Sequence, residues 1–162
     1  MPRVEVSSKV RFFSNIAIAS TSSAYAASRV IGGLITVSGA LRSVNRTGLV
    51  SSVFLADSNN GTAPITLLFF DSDPGATLID NTALSVSAAN MVSKCVGYVN
   101  INKSDYVQFG ATSGSLACLN NVGLNLESSD PINQSIYIIA VTNGAVTLAA
   151  SSLKLTLSII QD

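Results

Sequence analysis

Short runs of apolar residues recur along this chain, separated by clusters of turn residues. The runs are rich in Val, Ile, Thr, Tyr and Phe, which favour the pleated, half-buried surface of a β-strand. Their spacing near ten residues predicts an all-β sandwich or barrel of about ten short strands. The predicted strands cover residues 3–6, 10–18, 30–41, 48–57, 63–71, 94–101, 105–112, 123–127, 134–143 and 152–160.

The last of these runs alternates most clearly. Leu or Ile occupies each odd position of residues 153–159, whereas Lys154, Thr156 and Ser158 occupy the even positions. Successive side chains of a strand point to opposite faces. The run therefore predicts a strand with one apolar face and one face that meets water or a partner.

The segments between the runs predict turns, one helix and one linker. Asn60-Gly61 and Asn143-Gly144 are dipeptides typical of tight hairpins, because both tolerate positive φ. Residues 82–94 have Ala, Leu and Met at roughly helical spacing, but their Ser and β-branched content favours only one or two helical turns. Residues 20–28 are small and polar, which predicts a linker between an N-terminal arm and the body.

Composition indicates a protein that associates. The 162 residues suit one domain, and 48% of them are hydrophobic whereas only 11% are charged, against a usual ~25%. A surface so poor in charge has little to oppose association with copies or partners. No apolar run has the length of a membrane helix, and the first residues lack the apolar region of a secretory signal.

The few charges are unevenly placed, although the formal net charge is zero. The first 46 residues contain six basic residues and one acidic residue, Glu5, whereas acidic residues outnumber basic ones in the rest of the chain. This asymmetry suits assembly between copies or the docking of a basic N-terminal arm on an acidic neighbour, with chance placement of few charges as the alternative. Nucleic-acid binding is not expected, because the basic residues are scattered. They are Arg3, Lys9, Arg11, Arg29, Arg42 and Arg46.

Candidate catalytic chemistry is nearly absent from the sequence. The chain has no histidine, which removes His-dependent triads, histidine general bases and most zinc sites. No dinucleotide-binding or P-loop pattern occurs. Cys95 and Cys118 lie in apolar runs, so two buried thiols are expected, with one disulfide as the alternative. We therefore expect no enzyme, no cofactor and no bound metal.

The stretch from Asp71 to Gly75 is the one candidate for metal or acid–base chemistry. The alternating carboxylates Asp71 and Asp73 resemble the start of a calcium loop, but Gly75 stands where a third oxygen ligand belongs. Asp80 becomes a further candidate ligand if the loop curls back. The structural interpretation is simpler: Asp71 and Asp73 cap a turn after a strand, Pro74 fixes φ, and Gly75 supplies the bend.

Over residues 25–162 the chain resembles a family of small structural proteins of tailed phages, the head decoration or cement proteins. The resemblance implies a jelly-roll-like β-sandwich and brings no catalytic residues. Its motifs are turn and strand patterns. They are Tyr25 with Gly32, Gly33, Leu34 and Ile35; residues 67–71 with Pro74; Asp80, Asn81 and Ala83; and residues 96–99.

The resemblance also implies a function and partners. The expected protein is a homotrimer on the outer surface of the virion, made in the bacterial cytoplasm, that binds the major capsid protein but neither nucleic acid nor membrane. The resemblance covers a body of residues 25–162 and leaves residues 1–24 as a basic N-terminal arm. Outside the resemblance, the arm residues Arg3, Lys9 and Arg11 are the expected contacts to an acidic capsid surface, with a solvated tail as the alternative. A tail or fibre module that binds a host receptor or glycan is the alternative function.

Overall fold

A computed structural model of the protein describes residues 9–42, 46–110 and 112–162. In these ranges the chain forms eleven strands, one α-helix and one short 3-10 helix at Lys103–Asp105. The strands are β1 (Lys9–Ile18), β2 (Ser23–Tyr25), β3 (Val30–Val37), β4 (Thr47–Asp57), β5 (Ile65–Phe70), β6 (Cys95–Ile101), β7 (Tyr106–Gln108), β8 (Ser115–Glu127), β9 (Ile136–Thr142), β10 (Val146–Leu148) and β11 (Leu153–Gln161), and the helix is α1 (Ala88–Lys94).

Two large antiparallel sheets form the body. One has the order β1-β11-β4-β8-β7 and the other the order β3-β9-β5-β6, while β10 and β2 pair separately. The pairs β1·β11, β3·β9, β4·β8 and β5·β6 are nested along the chain, so that together they form one long antiparallel ribbon of paired strands. The pairs β11·β4 and β5·β9 then close this ribbon on itself, which is the arrangement of a jelly roll. The prediction of an all-β sandwich with about ten strands and one short helix is confirmed.

The main core lies between the two sheets. The alternation predicted for residues 153–159 is confirmed, because Leu153, Leu155, Leu157 and Ile159 are all buried in this core. Their neighbours from the opposite sheet include the fully buried Phe69. At roughly 1.5–3 kcal/mol for each fully buried large apolar side chain, this layer is the main source of stability.

A second apolar cluster lies on the outer side of the four-stranded sheet. Residues 71–94, which we call the cover segment, connect β5 to β6 and cross this outer face. Side chains of the cover segment, among them Leu78 and Met91, pack on the buried Phe70 and Ile139 of the sheet. Helix α1 within the segment begins where the Ser87 hydroxyl accepts a hydrogen bond from the Asn90 N–H at 3.2 Å. The protein thus covers one sheet with its own chain.

The hairpin predictions were wrong. Asn60-Gly61 connects β4 to β5, which belong to different sheets, and Asn143-Gly144 connects β9 to β10, which also do not pair. The linker prediction for residues 20–28 was wrong too, since Ser20 and Tyr25 are buried and β2 lies within this segment. These connections cross between sheets, and turn residues alone do not distinguish a crossing from a hairpin.

Both thiols are free, as expected, but the prediction that they are buried was wrong, because Cys95 is half-buried and Cys118 is exposed. Cys118 pairs with Phe54 on the outer side of its sheet, so its apolar neighbours in sequence do not bury it. No helix in the described ranges has the length and apolar character that a membrane span requires.

Candidate interaction surface

The outer side of the five-stranded sheet, which we call the open face, is the candidate functional site. The register aligns its side chains in rows across the strands. One row contains Thr156, Phe54 and Cys118, and the next contains Phe12, Ser158, Ser52 and Asn120. A third contains Val10, Ile160, Leu49 and Asn125, and a fourth contains Ala17, Lys154, Ala56, Leu116 and Val107.

The open face is largely apolar, with its most exposed apolar side chains at the two edges and with Ser52 and Ser158 buried near its centre. Val10 is 52% and Phe12 67% exposed on β1, and Val107 is 57% exposed on β7 at the other edge. Between them, Phe54 and Leu116 are half-buried by their neighbours on the sheet. A solvated sheet face is normally lined with polar residues. An apolar face of this extent therefore indicates a surface that another molecule covers.

The charges of the open face are confined to its two ends. Lys154 lies in the row at one end of β11. At the other end the alternation places Glu127, which pairs with Thr47, and Asp162, whose backbone N–H donates to the Thr47 carbonyl. The Thr47 hydroxyl also donates to the Asp162 carboxylate at 3.2 Å. The middle of the face is therefore uncharged in the described residues.

The predicted arm residues lie partly on strand β1. Residues 9–18 of the predicted arm form this edge strand and pair with β11, while Arg3 lies outside the described residues. Lys9 is exposed. Arg11 donates to the Gly39 carbonyl at 3.1 Å, and its guanidinium carbon lies 5.3 Å from the ring centre of Phe13. The side of β1 away from β11 has no neighbouring strand in the described sheet.

The turn from Asp71 to Gly75 is held by contacts within the protein. Asp71 accepts hydrogen bonds from the hydroxyls of Ser72 and Ser129, at 2.7 and 3.1 Å. The Asp73 carboxylate accepts from the Gly75 N–H at 2.7 Å, and Gly75 has a φ of +66°. Pro74 is buried. These contacts are those of a capped turn.

The carboxylate of Asp80 accepts several hydrogen bonds, and this structural role was not predicted from the sequence. Its carboxylate accepts hydrogen bonds from the Tyr25 hydroxyl at 2.7 Å, the Gly32 N–H at 2.7 Å, and the hydroxyl and N–H of Thr21 at 2.6 and 3.2 Å. It does not lie with Asp71 and Asp73 in a metal site: no group of three or more potential ligand side chains occurs in the described ranges. Asp80 instead ties the cover segment to β2 and β3.

The pKa of Asp80 reflects this setting. Partial burial favours the neutral carboxyl, but the hydrogen bonds from Thr21, Gly32 and Tyr25 outweigh it and hold the pKa of Asp80 below its ordinary value. Three of these residues, Tyr25, Gly32 and Asp80, belong to the motifs that carry the resemblance. Those motifs therefore have a structural role, which is to fix the cover segment on the sheet.

An open groove of about 340 Å³ lies at one end of the sandwich. Residues 61–64 and 145–148 line it, and Lys103 is the titratable side chain among the lining residues. A single lysine with no acidic or nucleophilic partner in the lining provides no acid–base pair. Folding alone does not explain why apolar side chains are exposed on the open face. The open face is therefore a better candidate site than this groove.

Comparisons with known proteins add little to this geometry. No family model and no curated protein matches the sequence. The chain is similar to a solved structure from Desmodium yellow mottle tymovirus, with 14% identity, a TM-score of 0.30, and coverage of 99% of this chain and 84% of that one. It is also similar to the cyanophage Pam1 capsid asymmetric unit, with 19% identity, a TM-score of 0.32, and coverage of 100% and 91%. Likenesses this distant carry no argument about function.

Proposed function

We propose that this protein is a virion structural protein, a head decoration or cement protein of a tailed phage. The observation that carries the proposal is the open face, a broad apolar sheet surface on a body with only 11% charged residues. Such a surface is suited to lasting contact between proteins. The resemblance of residues 25–162 to decoration proteins supports the phage head as the place where this contact is made.

The proposed partners are the major capsid protein and further copies of this chain, as a homotrimer on the outer surface of the head. Binding adds its free energy only to the assembled shell, which makes the shell harder to dismantle. Strand β1 provides one route for contact, since an unpaired strand edge can add to a sheet of the partner. Arg3, Lys9 and Arg11 are the proposed contacts to acidic groups of the shell.

Mixing the purified protein with phage heads that lack it tests this function. Wild-type protein should bind the heads to saturation at micromolar concentration, as seen by co-sedimentation and electron microscopy. Reversing the three basic charges, Arg3→Glu, Lys9→Glu and Arg11→Glu together, should weaken binding, because complementary charge steers and orients docking. Lys103→Glu, an exposed reversal in the 3-10 helix, is the matched control.

Two outcomes of this experiment would contradict the proposed function. Heads that stay bare at saturating concentrations of the wild-type protein exclude a decoration role. Binding to host cells in place of heads would support the tail or fibre alternative.

A further inference from the structure

We propose that the open face is the surface through which two copies of this chain pair, related by a two-fold axis that crosses β11 at Ser158. This inference deepens the proposed function by naming the occupant of the open face.

The first argument is the size of the face. Neighbouring strands lie ~4.8 Å apart and rise ~3.3 Å per residue, so the four long strands cover roughly 600 Å² before β7 and side-chain relief are counted. Stable protein interfaces bury ~800 Å² on each partner. The projected area of the open face is therefore of the same order as that of a stable interface, and side-chain relief brings the accessible area closer to it.

The second argument is the placement of charge. Lys154 on β11 and Asp162, the residue directly after β11, lie at equal distances from Ser158, four residues on either side. A two-fold axis across the strand at Ser158 reverses the strand direction in the second copy. Lys154 of each copy then lies over Asp162 of the other, and Glu127 adds a further carboxylate at the same end. Both ends of the pair carry opposite charges, and the uncharged rows meet in the middle.

The third argument is availability. A decoration protein folds before it meets an assembled head, and during that time an exposed apolar face promotes aggregation. A second copy is present from the moment of synthesis at the same concentration. Surfaces as apolar as this one are more typical of permanent pairs of identical chains than of later encounters.

Charge reversal gives the sharpest test. Lys154→Glu and Asp162→Lys, each alone, should weaken self-association by roughly ten- to thirtyfold, because two symmetric ion pairs become like-charge contacts. The double variant Lys154→Glu/Asp162→Lys should recover wild-type association to within about threefold. Sedimentation velocity measures these changes, and Lys103→Glu should leave association unchanged.

A second pair of variants tests the face away from its charges. Thr156→Lys places a charge in the uncharged middle of the open face and should give a monomer. Thr36→Lys makes the same change at an exposed position of β3, on the other sheet, and should not. Cys118 reports independently: its thiol should react slowly in the assembled protein and quickly in Thr156→Lys.

The outcomes separate this inference from the proposed function. A dimer that Thr156→Lys dissociates supports the pairing, and a hexamer with three-fold and two-fold symmetry supports it together with the homotrimer. A wild-type monomer, or a trimer unaffected by both Thr156→Lys and the charge reversals, overturns the pairing. Head binding is measured separately, so either proposal can fail while the other stands. If Thr156→Lys loses head binding and keeps the wild-type oligomeric state, then the shell and not a second copy occupies the open face, and the pairing is overturned.

Discussion

Replacing Asp80 by alanine should loosen the cover segment while the core between the sheets stays intact. The carboxylate is the acceptor for the hydroxyl of the buried Tyr25 and for the Gly32 N–H. Alanine removes this acceptor, which leaves the Gly32 N–H without its partner and leaves the Tyr25 hydroxyl with the Thr21 hydroxyl, 3.2 Å away, in place of the carboxylate. The second apolar cluster depends on the cover segment, and Asp80 ties this segment to β2 and β3 together with the neighbouring Asn81, whose side chain donates to the Ala24 carbonyl at 3.1 Å.

The expected loss of stability depends on how many of the hydrogen-bond donors to Asp80 are shielded from water. The Tyr25 and Gly32 contacts are partly buried, and each should contribute about 1–1.5 kcal/mol, the low end for a charged acceptor because Asp80 is half-exposed. The Thr21 contacts are exposed, and water replaces them at little cost. Asp80→Ala should therefore lower the free energy of unfolding by about 2–3 kcal/mol, or the melting temperature by about 4–12 °C.

Urea unfolding of a double-mutant cycle with Tyr25→Phe is the assay. The coupling free energy between the two positions should be about 1 kcal/mol, because each variant removes one half of the same hydrogen bond. Asp73→Ala is the matched control, a carboxylate of the same segment that caps only its own turn, and should change stability by less than about 0.5 kcal/mol. A loss below that size for Asp80→Ala, or no coupling to Tyr25, would refute the role of Asp80.

The same contact should appear in the dependence of stability on pH. Because the pKa of Asp80 is lowered in the folded protein, its contribution is present above the ordinary Asp pKa of about 3.9 and is lost as the pH falls through the folded value. Asp80→Asn should therefore show a smaller acid loss of stability than the wild type. Equal losses in the two proteins would mean that other carboxylates govern the acid limb.

Three further predictions follow from individual contacts. Gly32→Ala should destabilise the protein by about 2–4 kcal/mol in urea unfolding, because φ is +74° and a Cβ would lie 2.6 Å from a backbone nitrogen; a neutral change would contradict the strained bulge. Tyr106→Phe should cost about 1 kcal/mol, since the hydroxyl donates at 2.8 Å to a buried backbone carbonyl, and no loss in thermal melting would argue against that bond. Asp71→Asn/Asp73→Asn should cost about 1 kcal/mol, and calcium should not change the melting temperature of the parent protein; a calcium-dependent rise would favour a metal site.

The fold was largely readable from period-two patterns, and the exceptions have local causes. β11 alternates without interruption and was predicted almost to its ends. The long β8 was predicted only in two pieces, the strand-like run of residues 115–120 and the strand of residues 123–127, because Asn121 and Gly123 adopt positive φ within it and break its alternation. The strand predicted at residues 3–6 lies outside the described residues. β2 and β10 have three residues each, too few for a periodic signal.

The candidate surface was harder to predict than the fold. Sequence alternation showed that β11 has one polar or partner-facing side, but not that the strands beside it present Val10, Phe54 and Leu116 to the same side. That alignment depends on register between strands distant in sequence. The role of Asp80 was missed for the same reason, since its partners Tyr25 and Gly32 lie 55 and 48 residues away. A repeated association of Tyr, Gly and Asp in related sequences would be the signal for it.

The cover segment also has a consequence for assembly. It packs on one broad side of the sandwich, so among the described residues the open face is the broad sheet surface left without such a cover. A subunit with two such sides would stack head to tail into open-ended fibres. If copies pair through the open face as proposed, a chain without residues 71–94 would present a second apolar face and should form open-ended polymers, so the cover segment would set the number of partners that each copy can bind.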